Sequence, residues 1–350
     1  MAVFSNKNVK ISGIAACVPQ EEILNSSYDW VSEKERTLFI QTTGVEKRRI
    51  APEGICTSDM CQKAAEKLIA DLQWKKEDIN LLIFVSQSAD YYLPASSILL
   101  QDRLGLSKNT MAFDINLGCS GYVYGLAVIT SLLSNGHFKK GLLLVGDKSS
   151  YSLNPKDKTT YPLFGDAGTA TALEFAQGEE MFFHLQSNGS GKEAIHIPGG
   201  GTREPFNYTL LTEKEQEPGV IRHRCNLHLN GMEVFNFSLR EVKPNIDGLL
   251  NGISKSQEDI DYFVLHQANK FMNESVRKKM KVAPEKVPYS IHKFGNTSSA
   301  SIPLTMASEL QHDLKNKKMN LLLSGFGVGF SWGSVYLQTD HIVCPDLIYC

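Results

Sequence analysis

The chain is expected to fold as an α/β protein with largely parallel central strands, built from two related halves. Three observations predict this. Apolar runs of strand length alternate with stretches of helical spacing. Short blocks recur in the same order at a nearly constant offset. One apolar run, residues 111–117, stops at Gly118 and gives way at once to a helical pattern, leaving Cys119 on the turn between Gly118 and Gly121.

In chain order, residues 9–18 read as a first strand ended by Pro19. Residues 21–50 are mixed and charged, with a turn at Thr43-Gly44. A helix is expected from Ser58, a favourable N-cap with Asp59 in its first turn, to residue 72. Residues 81–86 form a buried strand and 94–104 a helix. The strand 111–117 and the helix 121–134 follow, then strands at 141–146 and 169–175. Residues 187–226, rich in Gly, Pro and charge, read as a long irregular excursion bordering a site. Helices are expected at 231–252, 268–281 and 298–313, and strands at 261–265, 320–324 and 333–338.

The repeat links Glu77-Asp78-Ile79 to Glu258-Asp259-Ile260 and Leu142-Leu143-Leu144 to Leu321-Leu322-Leu323. It also links Leu117-Gly118-Cys119-Ser120 to Phe294-Gly295-Asn296-Thr297. The halves are taken as 1–178, carrying Cys119, and 179–350, carrying His266 and Asn296. Under pseudo-twofold packing, Cys119 and Asn296 occupy equivalent strand-to-helix turns, and His266 ends a strand of the second half. All three then meet beyond the carboxyl ends of the strands, where open α/β sheets hold ligands.

Bulk properties narrow the function. A net charge of −2 gives no field that selects nucleic acid or an anionic membrane. No apolar run reaches the roughly 18 residues of a spanning helix. Residues 1–10 carry no apolar signal core. The seven cysteines form no C-x-x-C pair and no zinc pattern, so a reducing, cytoplasmic setting without a metal is expected.

Thiol, imidazole and amide make a coherent chemistry. A helix start offers unpaired N–H groups and a positive dipole end, which favour a nucleophilic thiolate at Cys119. By that reasoning Cys119 should be alkylated before the other six thiols near neutral pH. His266 and Asn296 can donate hydrogen bonds to a thioester carbonyl as it becomes an enolate. The plainer readings are a buried small Cys119, a core His266 and a capping Asn296 followed by Thr297-Ser298-Ser299.

The segments Asn116-Leu117-Gly118-Cys119-Ser120-Gly121, His266-Gln267-Ala268-Asn269, Gly295-Asn296-Thr297-Ser298 and 325–334 (GFGVGFSWGS) resemble 3-oxoacyl-[acyl-carrier-protein] synthase III, a branch of the thiolase superfamily. The resemblance spans about residues 9–338. It implies a thiolase-like, five-layered αβαβα fold from two duplicated halves, and a homodimer. It implies that Cys119 accepts the acyl group, that His266 and Asn296 assist decarboxylation of malonyl-ACP, and that the backbone N–H groups of Cys119 and Val328 form the oxyanion hole. Phe326, Gly327 and Leu93 would line the acyl pocket, Leu93 from the partner subunit. Trp30, Asn269 and Lys270 would contact coenzyme A or the acyl carrier protein. No cofactor is implied; coenzyme A or carrier phosphopantetheine thioesters, an acyl-CoA or acyl-ACP primer and malonyl-ACP, are substrates.

Several positions depart from the family pattern. Val328 stands where Gly is common, Thr42 where a basic residue helps bind coenzyme A, and Phe271 where an arginine is expected. Leu93 replaces an aromatic before Pro94, residues 32–41 look like a short insertion after Trp30, and residues 339–350 run past the usual end. Arg277, Lys278, Lys279 and Lys281 cluster near the end of the helix after His266. They form either a docking patch for an acidic carrier or a solvated helix end whose cations favour the dipole. Rival readings are a chalcone-synthase-like enzyme, a hydroxymethylglutaryl-type synthase, an acyltransferase to an amine or alcohol, and a non-catalytic carrier-binding subunit.

Overall fold

The computed structural model describes residues 3–350. Nine strands form one mixed sheet: β1 (Phe4–Val18), β2 (Ile79–Val85), β3 (Met111–Ile115), β4 (Lys140–Asp147), β5 (Ala167–Ser187), β6 (Tyr262–Leu265), β7 (Lys318–Gly327), β8 (Ser331–Asp340) and β9 (Ile348–Tyr349). The path through the sheet is β6-β7-β8-β5-β4-β2-β3, with β1 on β5 and β9 on β1. The order reads alike from its middle outward. β2 pairs parallel with β4, and β4 antiparallel with β5. β6 pairs parallel with β7, and β7 antiparallel with β8. The repeated leucines sit in equivalent strands: Leu142 faces Leu82, and Leu322 faces Phe263. The halves join along β5: β1 pairs mainly with its first part, residues 168–175, and β8 pairs with its last part, residues 182–187. Residues 178 and 179 lie inside β5, at an irregularity in its pairing with β1.

Alternation along the strands decides which layer each side chain enters. In β2 and β4, Leu82, Phe84, Leu142 and Leu144 face outward onto helices α2 (Thr57–Asp71) and α3 (Ser96–Arg103). Leu81, Ile83, Val85, Leu143 and Val145 face inward onto α4 (Gly121–Leu133). In the second half, Phe263 and Leu322 face outward onto α5 (Gly231–Gly252) and α6 (Lys270–Met280), while Val264, Leu321 and Leu323 turn inward onto α7 (Ser301–Glu309). Helices α4 and α7 form the central layer, so five layers result, as the resemblance implies.

Three elements depart from the sequence reading. Residues 33–43 form a helix, α1 (Glu33–Thr43), closed at its start by reciprocal Ser32 and Glu35 bonds and at its end by Gly44 at φ 73°. It buries no residue, so it has no apolar stripe to be recognised by; Ser32-x-x-Glu35 was the available signal. The expected helix 298–313 is three pieces: a 3-10 turn Ser298–Ala300, α7, and Gln311–Asn316 beyond Leu310. The excursion 187–226 contains short pairings: Lys214–Glu217 with Val220–Arg222, and Ile195–His196 with His228–Leu229. Residues 339–350 return along the first strand, Cys17 opposite Ile348. Among the described residues, no helix is long and apolar enough to cross a membrane.

Candidate active site

Cys119, His266 and Val328 follow the ends of three separate strands and Asn296 follows a one-turn helix; all four line one cavity of about 870 Å³, its open mouth included. Cys119 follows β3 and precedes α4. A hydrogen bond from Gly121 N–H to Gly118 O (2.6 Å) tightens the turn, and Ser120 Oγ meets Ser331 Oγ at 2.6 Å, tying it to the first residue of β8. His266 extends β6 by one residue, its N–H on Ser324 O at 2.8 Å. Asn296 follows the one-turn helix Ile291–Phe294 and Gly295, whose φ of 68° and close approach to Leu163 O exclude a side chain there. Its main chain is bonded on both sides, N–H to Leu163 O (2.9 Å) and O to Gly165 N–H (3.1 Å).

Side-chain partners fix the chemistry of each group. Asn296 Oδ1 accepts the Ser298 N–H at 2.9 Å. Its Nδ2 has only a long contact, 3.4 Å to Ala268 O, so the amide keeps donor capacity on the cavity side. His266 Nδ1 lies 2.7 Å from Ser301 Oγ, and Phe326 packs edge-on against the ring. Burial lowers the imidazole to about 3, against a smaller opposing effect of the Ser298 backbone. His266 is therefore neutral across the physiological range. Asn269 caps α6, accepting the Met272 N–H at 2.8 Å, and also lines the cavity.

The charge state of Cys119 reverses the sequence expectation. Burial pushes the thiol up to about 11; the Val328 N–H favours the thiolate, the Asp147 carboxylate opposes it, and the Cys119 N–H and Ser298 favour it. The helix start does supply donors. They are outweighed because the sulfur is removed from water. The resting pair is thiol and neutral imidazole. Gly327 is required by contact: a methyl there would sit 2.7 Å from the Cys119 sulfur.

The remaining expected residues lie elsewhere. Leu93 is 87% exposed beside exposed Tyr91 and Tyr92, and is absent from the lining of its own chain's cavity. Trp30 donates to Gly219 O at 3.2 Å away from the cavity. The Lys270 stem packs against Gly44, next to Thr42 and Thr43. Arg277 is forked onto Glu274 (2.9 and 2.7 Å) and donates to Val282 O (2.6 Å), so its charge is committed within α6. Lys278 is exposed. Ser301 and Ser298, which contact His266, had no distinguishing signal in a serine-rich stretch. Among the described residues, no group of three or more His, Cys, Asp or Glu is arranged to hold a metal.

Residues 113–189 match the family 3-oxoacyl-[acyl-carrier-protein (ACP)] synthase III, and residues 251–339 match its C-terminal counterpart. The first match contains Cys119 and the second His266, Asn296 and Val328. A beta-ketoacyl-[acyl-carrier-protein] synthase III of Clostridioides difficile is 33% identical over 94% of this chain and 98% of its own. A solved 3-oxoacyl-(acyl-carrier protein) synthase of Burkholderia xenovorans superposes with a TM-score of 0.94 at 36% identity, covering 100% of this chain and 99% of its own. That of Pseudomonas aeruginosa, at 26% identity over 96% of this chain and 100% of its own, gives 0.82. With the fold and four motifs in agreement, the chain belongs to the 3-oxoacyl-[acyl-carrier-protein] synthase III family of the thiolase superfamily.

Proposed function

We propose that Cys119, His266 and Asn296 carry the two half-reactions of this condensing enzyme of fatty acid biosynthesis. In the first, the Cys119 sulfur attacks a primer thioester. The carbonyl oxygen takes up negative charge beside the Cys119 and Val328 N–H groups, which already converge on that sulfur. The C–S bond to the carrier breaks, the carrier thiol leaves with the proton, and the acyl group remains on Cys119. Both N–H donors are backbone groups, so valine at 328 leaves them intact.

In the second half-reaction, malonyl-ACP enters. Its thioester oxygen accepts hydrogen bonds from His266 and from the Asn296 amide. The C–CO₂ bond breaks, carbon dioxide leaves, and the enolate carbon attacks the acyl-Cys119 carbonyl. A 3-oxoacyl-ACP departs, and the Cys119 thiolate released by the attack takes up a proton from solvent. A neutral His266 suits this role, since it donates a hydrogen bond without surrendering a proton. The carrying observation is the Asn296 amide: its oxygen is spent on Ser298 while its nitrogen keeps a donor for the cavity. Simple transfer to an amine or alcohol forms no enolate for that donor to stabilise.

Asn269, Lys270 and Trp30 are assigned to the carrier side, Lys270 standing beside the turn where Thr42 replaces a basic residue. Lys278 is assigned to carrier docking, and Leu93 to a homodimer in which it enters the partner's acyl pocket. Seven free cysteines fit a reducing, cytoplasmic setting. The test of the assignment is intact-protein mass with a panel of primers. Asn296→Ala should take up the acyl mass yet lose condensation by on the order of 10²-fold. Acyl uptake by Cys119→Ala, or normal condensation by Asn296→Ala, overturns it.

A further inference from the structure

Asp147, the last residue of β4, is 2% exposed and lines the same cavity. Its carboxylate collects hydrogen bonds from both halves of the chain. One oxygen, Oδ1, accepts the Gln87 N–H at 2.7 Å and faces Ser86 Oγ at 3.1 Å and Ser88 Oγ at 3.5 Å, all just beyond β2. The other, Oδ2, accepts Ser299 Oγ at 2.6 Å and the Ser299 N–H at 3.1 Å. A carboxylate holding this many donors is stabilised in its charged form even where burial raises its pKa, as it does here.

Each segment so held touches the chemistry. Gln87 lies over the nucleophile turn: a methyl on Gly118 would stand 2.4 Å from Gln87 Oε1. Ser299 follows Ser298, whose N–H fixes the Asn296 amide oxygen. The Cys119 side and the Asn296 side are therefore fastened to one buried group.

We propose that Asp147 is a positioning residue for condensation, clamping the turn after Asn296 to the end of β2 so that the Asn296 amide is held in register with Cys119. This rests on the roles assigned above to Cys119 and Asn296. The carboxylate belongs to neither half-reaction and touches no reacting atom. Its part is to fix a geometry in which displacement is expensive.

The clamp also leaves an electrostatic trace. Among titratable groups, Asp147 raises the thiols of Cys119 and Cys61 and the phenol of Tyr151. The neighbouring Lys148 turns its ammonium away, onto Pro52 O and Ile55 O, and does not neutralise the carboxylate. His266 is governed by burial and the Ser298 backbone rather than by Asp147. A neutral residue at 147 should let the Cys119 thiol ionise at lower pH, an effect that loss of packing alone would not single out.

The experiment compares Asp147→Asn and Ser299→Ala with the parent. It measures acyl uptake on Cys119 by mass, kcat and KM with malonyl-carrier, and the pH profile of Cys119 alkylation by iodoacetamide. Asp147→Asn should load acyl groups, lose on the order of tenfold to a hundredfold in condensation kcat with a smaller change in KM, and shift the alkylation profile to lower pH. Ser299→Ala keeps the charge; it should lose part of kcat and leave the alkylation profile in place. Equal losses in loading and condensation without a profile shift in Asp147→Asn, or parent-like condensation in both variants, overturns the clamp. If Asp147→Asn does not fold, parent-like kcat in Ser299→Ala overturns it alone. An Asn296→Ala control separates the two ideas. Normal condensation there removes the role of Asn296 itself, whereas an inactive Asn296→Ala beside fully active clamp variants removes only Asp147.

Discussion

Gly327 lies against Cys119 so closely that an added Cβ would be 2.6 Å from the cysteine Cβ and 2.7 Å from its sulfur. The loop carrying Val328 is thus fitted to the nucleophile by the absence of a side chain. Gly327→Ala should displace either the loop or the thiol. A displacement of about 1 Å can cost on the order of 10²-fold in rate. Acyl loading, followed by mass, should fall by that order while condensation of any enzyme already loaded is measured separately. Parent-like loading would show that the loop yields without consequence.

The thiols should react in an order that the sequence does not suggest. Cys119 is held up at about 11, mainly by burial. Cys350 is lowered by a hydrogen bond from the Cys17 thiol, with Lys63 adding to it, and it is only partly buried. Iodoacetamide near pH 7 should label Cys350 before Cys119, and Cys119 labelling should accelerate as pH rises towards 11. Peptide mapping after brief exposure reads the order; Cys119 labelled first at neutral pH contradicts it.

That reversal marks how far the sequence was legible. The turn at Cys119 could be read because Gly118 interrupts an apolar run and helical spacing begins at Gly121. The duplicated halves could be read because buried parallel strands keep near-continuous apolar runs, as in Leu142–Leu144 and Leu321–Leu323. Burial of the sulfur could not, since it depends on β7 and its loop arriving from about 200 residues away in the chain. The Arg277–Glu274 fork was open to an i,i+3 reading. The Asp147 to Ser299 bond joins residues too far apart in sequence for any local pattern to connect.

His266 should make the fold acid-sensitive. Its folded pKa of about 3 lies below the ordinary histidine value of 6.5. Protons therefore bind the unfolded chain more readily, and stability is lost as pH falls below about 6.5, continuing down to about 3. The effect is absent above 6.5, where the ring is neutral in both states. His266→Gln should show a shallower fall of Tm between pH 6.5 and 4. Parallel curves for parent and variant would place the acid sensitivity elsewhere.

Leu93 stands out from the surface with Tyr91 and Tyr92, an apolar stretch that costs exposure in an isolated chain. In the homodimer proposed above it would reach the partner's acyl pocket, where leucine would leave more room than an aromatic ring. Chains longer than acetyl should be accepted, and Leu93→Phe should move the preference to shorter primers. The profile is read from acyl masses captured on Cys119, with sedimentation checking the dimer at micromolar concentration. An unchanged profile, or a monomer, argues against this placement.

The basic end of α6 divides into a structural cation and an available one. Arg277 is fixed by Glu274 and Val282 O, and Glu274 is further held by Tyr289 Oη at 2.7 Å. Arg277→Ala should therefore lower Tm and change carrier kinetics only in step with folding. Lys278 is exposed, and among the described residues it has no such ties. Lys279 donates to Leu239 O at 2.6 Å from an exposed position, an attachment that charge reversal would also break. Exposed cations of this kind act on the encounter rate, and salt screens them with a Debye length of about 10 Å at 0.1 M. Lys278→Glu should lower kcat/KM for malonyl-carrier, and the deficit should shrink as salt is added. Loading from acyl-CoA should hardly change, because its small donor does not span the helix end. Equal losses with both donors would identify a folding defect. A salt-independent loss confined to the carrier would mean a direct contact at Lys278 rather than steering.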